Sequence, residues 1–283
     1  SPPSSGGVHL LQILNILGDT EFEKLGRKSA DSLHLLAESM RIAYADRAQY
    51  LGDPDFISVP VKALTGHNYA KLRRSQIQMS KAKPSNQVKA VDAKTLSRFV
   101  WESPETTHLT VVDKERNVVS LTFTVNGGFG AGAVATGTGI LLNNEMDDFV
   151  AAPGVPNLFG LVGGDANSIA PGKTPLSSMT PIIVTENGKF RLAAGAPGGS
   201  TIITTVLQIV LNVLVYDMNV GEAVSAPRIH HQWIPDRLQV ERGGFDTATL
   251  DELRRRGHKI QEREDWGNAN AIVLTSDGWL EGA

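Results

Sequence analysis

The chain has 283 residues, 27 basic against 30 acidic, 41% hydrophobic and no cysteine. So much apolar content with so little net charge excludes disorder, because a core large enough to offset the ordering entropy can form. The lack of cysteine excludes disulfide scaffolds, thiolate metal sites, iron–sulfur ligation and a sulfur nucleophile, so any nucleophile is oxygen or nitrogen.

No window reaches the roughly 18 uninterrupted apolar residues of a membrane helix. The longest apolar run, residues 201–216, is broken by Thr204, Thr205, Gln208 and Asn212 and reads as a buried amphipathic helix. Residues 1–105 carry 14 basic and 11 acidic side chains and the remainder 13 and 19; neither half is basic enough for a nucleic-acid surface. The later acidic excess suits an amine ligand or a solvated face. Ser1-Pro2-Pro3 shows neither an initiator Met nor a signal pattern, so a processed or truncated product is expected.

In chain order, Val8, Leu11, Ile13, Leu14 and Leu17 recur at helical spacing before Gly18, a stop signal. Leu33, Leu36, Met40 and Ala43 repeat the pattern over residues 29–50, with Ser29 and Asp31 as candidate caps and a turn at Tyr50-Leu51-Gly52-Asp53-Pro54-Asp55. Residues 80–97 are polar and aperiodic and predict an exposed linker. From residue 106 the pattern becomes β-branched. Residues 108–113 and 118–125 flank a polar turn, and Asn187-Gly188 separates two further strands, giving two hairpins. Helices are predicted over 200–215 and 247–256, then a hairpin at 271–274 with Ser276-Asp277-Gly278 as its turn. Blocks of helices and strands favour a layered α+β fold over alternating βαβ units. There is no internal repeat and no dinucleotide or phosphate loop.

Several clusters carry chemistry. Glycine concentrates at Ser4-Ser5-Gly6-Gly7, at Gly127-Gly128-Phe129-Gly130-Ala131-Gly132 and at Gly195-Ala196-Pro197-Gly198-Gly199-Ser200. The third precedes a helix, where free amides stabilise an anion or the glycines merely shape a turn. Asn143-Asn144-Glu145-Met146-Asp147-Asp148 ends an apolar run and suits calcium, an ammonium group or a solvated turn; the EF-hand pattern is absent. Ser177-Ser178 can hold a carboxylate or be only a loop. His230-His231 reads as structural rather than metal-binding, since adjacent histidines diverge. Thr106-Thr107-His108 lies where the polar segment meets the first strand. A hydroxyl nucleophile can be activated by cleavage directly before it, which leaves its own α-amine as base, near the operating pH at about 7.7–8.0.

Together these clusters resemble the γ-glutamyltransferase (γ-glutamyltranspeptidase) family of N-terminal-nucleophile hydrolases. The resemblance spans the whole chain: Pro3-Ser4-Ser5-Gly6-Gly7, Tyr44-Ala45-Asp46-Arg47, Leu51-Gly52-Asp53-Pro54, Thr106-Thr107-His108, Asn143 to Phe149, Pro175 to Met179, Pro197-Gly198-Gly199 and Pro227-Arg228 fall in the family's order. It implies a four-layer αββα sandwich, with residues 1–105 similar to the C-terminal part of a large subunit and 106–283 to the small, catalytic one. The cut is expected between Glu105 and Thr106.

By the same resemblance Thr106 is the nucleophile and Thr124 its hydrogen-bonding partner. Asn126, Glu145 and Asp148 bind the donor's α-ammonium, Ser177 and Ser178 its α-carboxylate, and Gly198 and Gly199 supply the oxyanion hole. The implied activity cleaves γ-glutamyl amides such as glutathione through an ester on Thr106, with transfer to water, an amino acid or a peptide. No cofactor and no metal is implied, and the family points to a periplasmic or secreted location. Residues 151–164 resemble an active-site lid, with Phe159 where a tyrosine is common; closure is expected without that polar latch. The family's carboxylate-binding arginine lies on a large-subunit segment upstream of residue 1, so a missing segment is an expected partner. Gly127-Gly128 replaces positions often hydroxylic in relatives, which bears on acceptor preference. Alternatives are a cephalosporin (glutaryl) acylase, a poly-γ-glutamate-degrading relative, or a non-catalytic, unprocessed homologue.

Overall fold

The computed structural model describes residues 6–88 and 106–283. Ser4, Ser5, the second half of the 80–97 segment and Glu105 lie outside the described residues.

Helix α1 (Gly7–Leu17) stops at Gly18, whose N–H bonds back to Leu14 O, although Leu11, counted above with the apolar face, is half exposed. Three short helices were not anticipated around the next long one: α2 (Phe22–Leu25) before it, and α4 (Val61–Leu64) and α5 (His67–Arg74) after it. Helix α3 (Ala30–Tyr50) starts where Ser29 Oγ accepts the Ser32 N–H at 3.1 Å, satisfying one orphan donor of the first turn. Every α3 residue from 32 to 48 is buried, so its polar side chains must find internal partners. Asp46 accepts from Gln12 Nε2 at 2.6 Å, Tyr69 Oη at 3.0 Å and Arg73 Nη2 at 2.7 Å, while Arg41 pairs with Glu38 and reaches His231.

Strands β1 (Thr106–Val112) and β2 (Val118–Thr124) form the first hairpin, in register from Thr106↔Thr124 to Val112↔Val118. Strands β3 (Ile182–Glu186) and β4 (Lys189–Gly195) form the second, turned by Asn187 and Gly188 at φ 51° and 76°. Helix α6 (Ile202–Leu214) is buried along nearly its whole length, and α7 (Val220–Ser225) follows it. Beyond these come β5 (Ile229–His230), β6 (Leu238–Glu241), α8 (Thr247–Arg255), β7 (Ile260–Arg263), β8 (Asn270–Leu274) and β9 (Leu280–Gly282).

The main sheet has the order β3-β4-β8-β9, all antiparallel. One face of β4 carries α6, with α1 and α3 beyond; the β1–β2 hairpin packs on β4 and β8. Ser120 Oγ donates to Ala194 O at 3.3 Å and Asn270 Nδ2 to His108 O at 3.0 Å across that junction. The sheets close tightly because Gly195 leaves room for the His108 ring; a Cβ there would meet it at 2.2 Å. The described residues thus supply helix, sheet and sheet layers of an α+β sandwich. On the hairpin's outer face Leu109, Val111, Val119 and Leu121 are exposed. One core runs through both described parts of the chain, from Leu10 and Leu35 to Leu192, Ile203 and Val273.

Two expectations change. The β6–α8–β7 segment is a βαβ unit with β6 and β7 parallel, inside a fold otherwise built in blocks. Its strands escaped notice because they are four residues long and β6 is buried throughout, leaving no alternation to read. The exposed linker expected over 80–97 is anchored in its described half. Ala82, Ser85 and Val88 are buried, Trp233 Nε1 donates to Ser85 O at 2.9 Å and Val88 O at 3.1 Å, and Ser85 Oγ donates to Asp236 Oδ1 at 2.7 Å. These bonds run to residues some 150 positions away, which local composition does not disclose.

Candidate active site

Thr106 is the first residue of β1, and pairing with β2 sets it beside Thr124; its Oγ1 donates to Thr124 Oγ1 at 3.2 Å. Thr124 Oγ1 also accepts the Asn126 N–H at 2.8 Å. Asn126, at φ 75° and buried, turns the chain out of β2. Its Nδ2 donates to Asn144 O at 3.3 Å and to Asp148 Oδ1 at 3.5 Å, and the Gly127 N–H donates to Asn144 Oδ1 at 2.8 Å. These bonds dock the 3-10 turn Glu145–Asp148 against the nucleophile strand pair.

On that turn Asp148 is buried, Glu145 half-buried, and Met146 and Asp147 exposed. Burial pushes the Asp148 carboxyl up to about 7; Arg47 and the Asn126 amide oppose the rise, and Glu145 and Asp147 add to it. Burial also raises Glu145. A carboxyl in this state gains from an incoming cation, which restores its ionised form. For the calcium alternative, Asn144 Nδ2 instead donates to Asp147 Oδ2 at 2.9 Å, and no grouping of three side chains suited to a metal occurs among the described residues.

Asn167 joins this turn to the serine pair. Its Nδ2 donates to Asp148 O at 2.8 Å and its Oδ1 accepts the Leu176 N–H at 3.0 Å. Ser177 Oγ accepts the Met179 N–H at 3.1 Å, and Ser178 is buried. Arg47 of α3 holds this loop: its Nη2 donates to Ser178 Oγ and Leu176 O at 3.3 Å and to Ser177 O at 3.4 Å. Three positions earlier on the same helix face, Tyr44 Oη donates to Ser200 O at 2.6 Å. One buried helix therefore holds both the serine loop and the glycine loop.

Gly198 and Gly199 lead through a 3-10 turn into α6, at φ 134° and 52°. Neither amide N–H has a partner among the described residues. Two free donors before a helix N-terminus can receive developing negative charge. The Phe159 ring packs on Gly199, where a Cβ would meet Phe159 Cδ1 at 2.5 Å. Phe159 is held by its backbone: its N–H donates to Asn157 Oδ1 at 3.0 Å, and its carbonyl accepts from Gln232 Nε2 at 3.2 Å. Asn157 Nδ2 in turn donates to Asp148 O at 3.4 Å. The latch of this segment is thus main chain plus Asn157, with no hydroxyl at position 159.

Gly199→Ala is expected to be costly at an otherwise well-folded site, because both the left-handed φ and the Phe159 ring reject a Cβ. Displacing one oxyanion donor lowers kcat by about 10²–10³-fold. Steady-state kinetics beside a thermal melt separate this from unfolding.

All ten residues singled out from sequence are linked by contacts, from Thr106 through Thr124, Asn126, Asp148, Asn157 and Phe159 to Gly199, with Glu145 and Gly198 adjoining and Asn167 leading to Ser177-Ser178. Arg47, Asn144, Asn157 and Asn167 were not singled out, although Arg47 and Asn144 stood inside quoted motifs and Asn157 inside the 151–164 segment. His230 and His231 are fully buried and engaged structurally: His230 with Thr204 Oγ1 at 2.8 Å and Gln232 Oε1 at 2.9 Å, His231 with Arg41 and the Trp233 N–H. The assembly brings together a threonine hydroxyl, a glycine loop, the Glu145 and Asp148 carboxyl groups, and a serine pair beside a guanidinium.

The model of the gamma-glutamyltranspeptidase family matches residues 1–283. The chain is 53% identical over 282 residues to the glutathione hydrolase proenzyme of Escherichia coli (strain K12), covering 100% of this chain and 48% of that protein. It spans about half the length of the curated relatives it matches. Among solved structures, the Helicobacter pylori gamma-glutamyltranspeptidase T380A mutant is similar at 50% identity and a TM-score of 0.61, covering 62% of this chain and 97% of that one. A cephalosporin acylase from Bacillus halodurans is similar at 27% identity and a TM-score of 0.79, covering 100% of this chain and 48% of that one. With a match over its full extent and a connected threonine site of this composition, the chain belongs to the gamma-glutamyltranspeptidase family.

Proposed function

We propose that this chain carries the catalytic part of a γ-glutamyltransferase, or glutathione hydrolase, activated by cleavage between Glu105 and Thr106. In the uncleaved chain the Thr106 hydroxyl attacks the Glu105 carbonyl carbon, the peptide C–N bond breaks, and the acyl group passes to oxygen. Breaking that bond frees the Thr106 amine, and water then hydrolyses the ester, releasing the Glu105 carboxylate and restoring the Thr106 hydroxyl. In catalysis the same hydroxyl attacks the γ-carbonyl of the donor, with its proton passing by way of the α-amine to the leaving amine. The Gly198 and Gly199 amides hold the tetrahedral oxyanion. Water or an acceptor amine then takes the glutamyl group from Thr106.

The observation that carries this reading is the Thr106–Thr124 contact at the strand start, connected through Asn126 to Asp148. A zwitterionic head meets Asp148 with Glu145 at one end and Ser177-Ser178 at the other. The solved relative's 62% coverage is close to the share of this chain made by residues 106–283, which supports the subunit boundary. Acceptor choice, and a periplasmic or secreted location, belong to the same reading. Against the acylase alternative stands the buried Asp148, which a glutaryl group, lacking an amine, leaves uncompensated. In the full-length polypeptide, γ-glutamyl anilide is expected to be cleaved much faster than glutaryl anilide; equal kcat/KM for the two would exclude the assignment.

A further inference from the structure

Arg47 is only 6% exposed, and every hydrogen bond it makes among the described residues goes to an uncharged acceptor. A buried guanidinium without an ion pair is costly and is retained where a charge is needed. Its partners all lie on the loop Leu176-Ser177-Ser178. The carboxylate that acts on it most is Asp148, yet the two form no ion pair at 4.0 Å or less. Each charge is thus felt by the other without being quenched by it.

Ser178 Oγ has one hydrogen to give and two lone pairs. Arg47 Nη2 occupies a lone pair, and the nearby Thr180 hydroxyl is spent on Ser178 O at 2.8 Å. The Ser178 hydrogen is left to donate elsewhere, and a positive charge stands directly behind it. We propose that Arg47 is a positioning residue for donor recognition: it aims the Ser178 hydroxyl at the donor's α-carboxylate and adds its positive charge behind that subsite.

This rests on the γ-glutamyl reading above and adds a residue from the helical part of the chain. The bound head then continues an alternation of charge, from Asp148 through ammonium and carboxylate to Arg47. The charged groups acting on Asp148 are Arg47, Glu145 and Asp147, with the Asn126 amide beside it. Around Arg47 stand Tyr44 and His9, the latter held neutral by burial and by Arg47 itself.

The test uses full-length enzyme with Arg47→Gln and Arg47→Lys. Two donors are compared, γ-glutamyl-p-nitroanilide and 4-aminobutyryl-p-nitroanilide, which lacks only the α-carboxylate. For Arg47→Gln, kcat/KM with the first donor is expected to fall about tenfold or more, as loss of a charge-assisted contact requires, and with the second by less than about threefold. The acid limb of the γ-glutamyl profile moves to higher pH, since the charge opposing the rise at Asp148 is gone. Arg47→Lys keeps that limb and recovers part of the discrimination; if Arg47→Gln fails to fold, judged by melting and by cleavage at Thr106, Arg47→Lys against wild type is read the same way. Equal losses for both donors, or an unmoved acid limb in Arg47→Gln, would overturn the proposal. A wild type inactive on γ-glutamyl-p-nitroanilide would instead remove the functional reading beneath it.

Discussion

Thr106→Ala in the full-length polypeptide is expected to leave a single uncut chain with no measurable γ-glutamyl transfer. The same oxygen performs both displacements, so one substitution removes both, and loss of a nucleophile of this kind costs about 10⁶ in kcat. The fold should survive, because Thr106 is the half-buried first residue of β1 and, among the described residues, its side chain bonds one neighbouring hydroxyl at 3.2 Å. Intact mass distinguishes one chain from two, and an anilide assay reads the transfer. Thr106→Ser keeps the hydroxyl and should be cleaved and active at reduced rate. Full processing of Thr106→Ala would remove Thr106 from the mechanism.

The second large effect is expected at Asp148. Asp148→Asn removes the charge that faces the donor ammonium while keeping the shape and a partner for Asn126. Losing one member of a buried charge pair costs roughly 2–5 kcal/mol, so kcat/KM for a γ-glutamyl donor should fall about 10²–10³-fold, mostly through KM. Cleavage at Thr106 should proceed, because that step needs no ammonium site. The pH profile supplies the sign. Burial holds the Asp148 carboxyl at about 7, well above the usual carboxylate range, so below that pH it is neutral and cannot pair the ammonium. Wild-type kcat/KM should therefore rise with pH through about 7, and Asp148→Asn should lack that limb. The same raised pKa means that folding binds a proton between the ordinary carboxylate pKa and about 7, so this group's contribution to stability declines as pH rises across that window. Urea midpoints measured for both proteins across that range check it. An unaltered acid limb in Asp148→Asn would assign the titration to another group.

Elements governed by neighbouring residues were legible from the chain alone. The Ser29 cap, the Asn187-Gly188 turn, the two β-branched runs that became β1 and β2, and the apolar stripe of α6 depend on contacts a few residues apart. The parallel β6–β7 pair and the anchoring of residues 82–88 were not legible, since both depend on distant partners. Within the site, the ten residues came from motifs whose residue types suit the chemistry. Arg47, although inside the Tyr44-Ala45-Asp46-Arg47 motif, gains no role from it, and Asn157 and Asn167 look like ordinary loop asparagines until their partners are seen.

The order of amino acids alone dictated which hydroxyl, carboxylates and amides were available, because a side chain's reactivity is a property of its type and its immediate neighbours. Only packing decided that α3 holds Ser178 with one side chain and Ser200 with another, that Asp148 is deep enough to sit near neutrality, and that Phe159 covers Gly199. Those are facts of burial and of distance between residues up to about 150 positions apart, and burial and distance exist only once the chain has closed on its core.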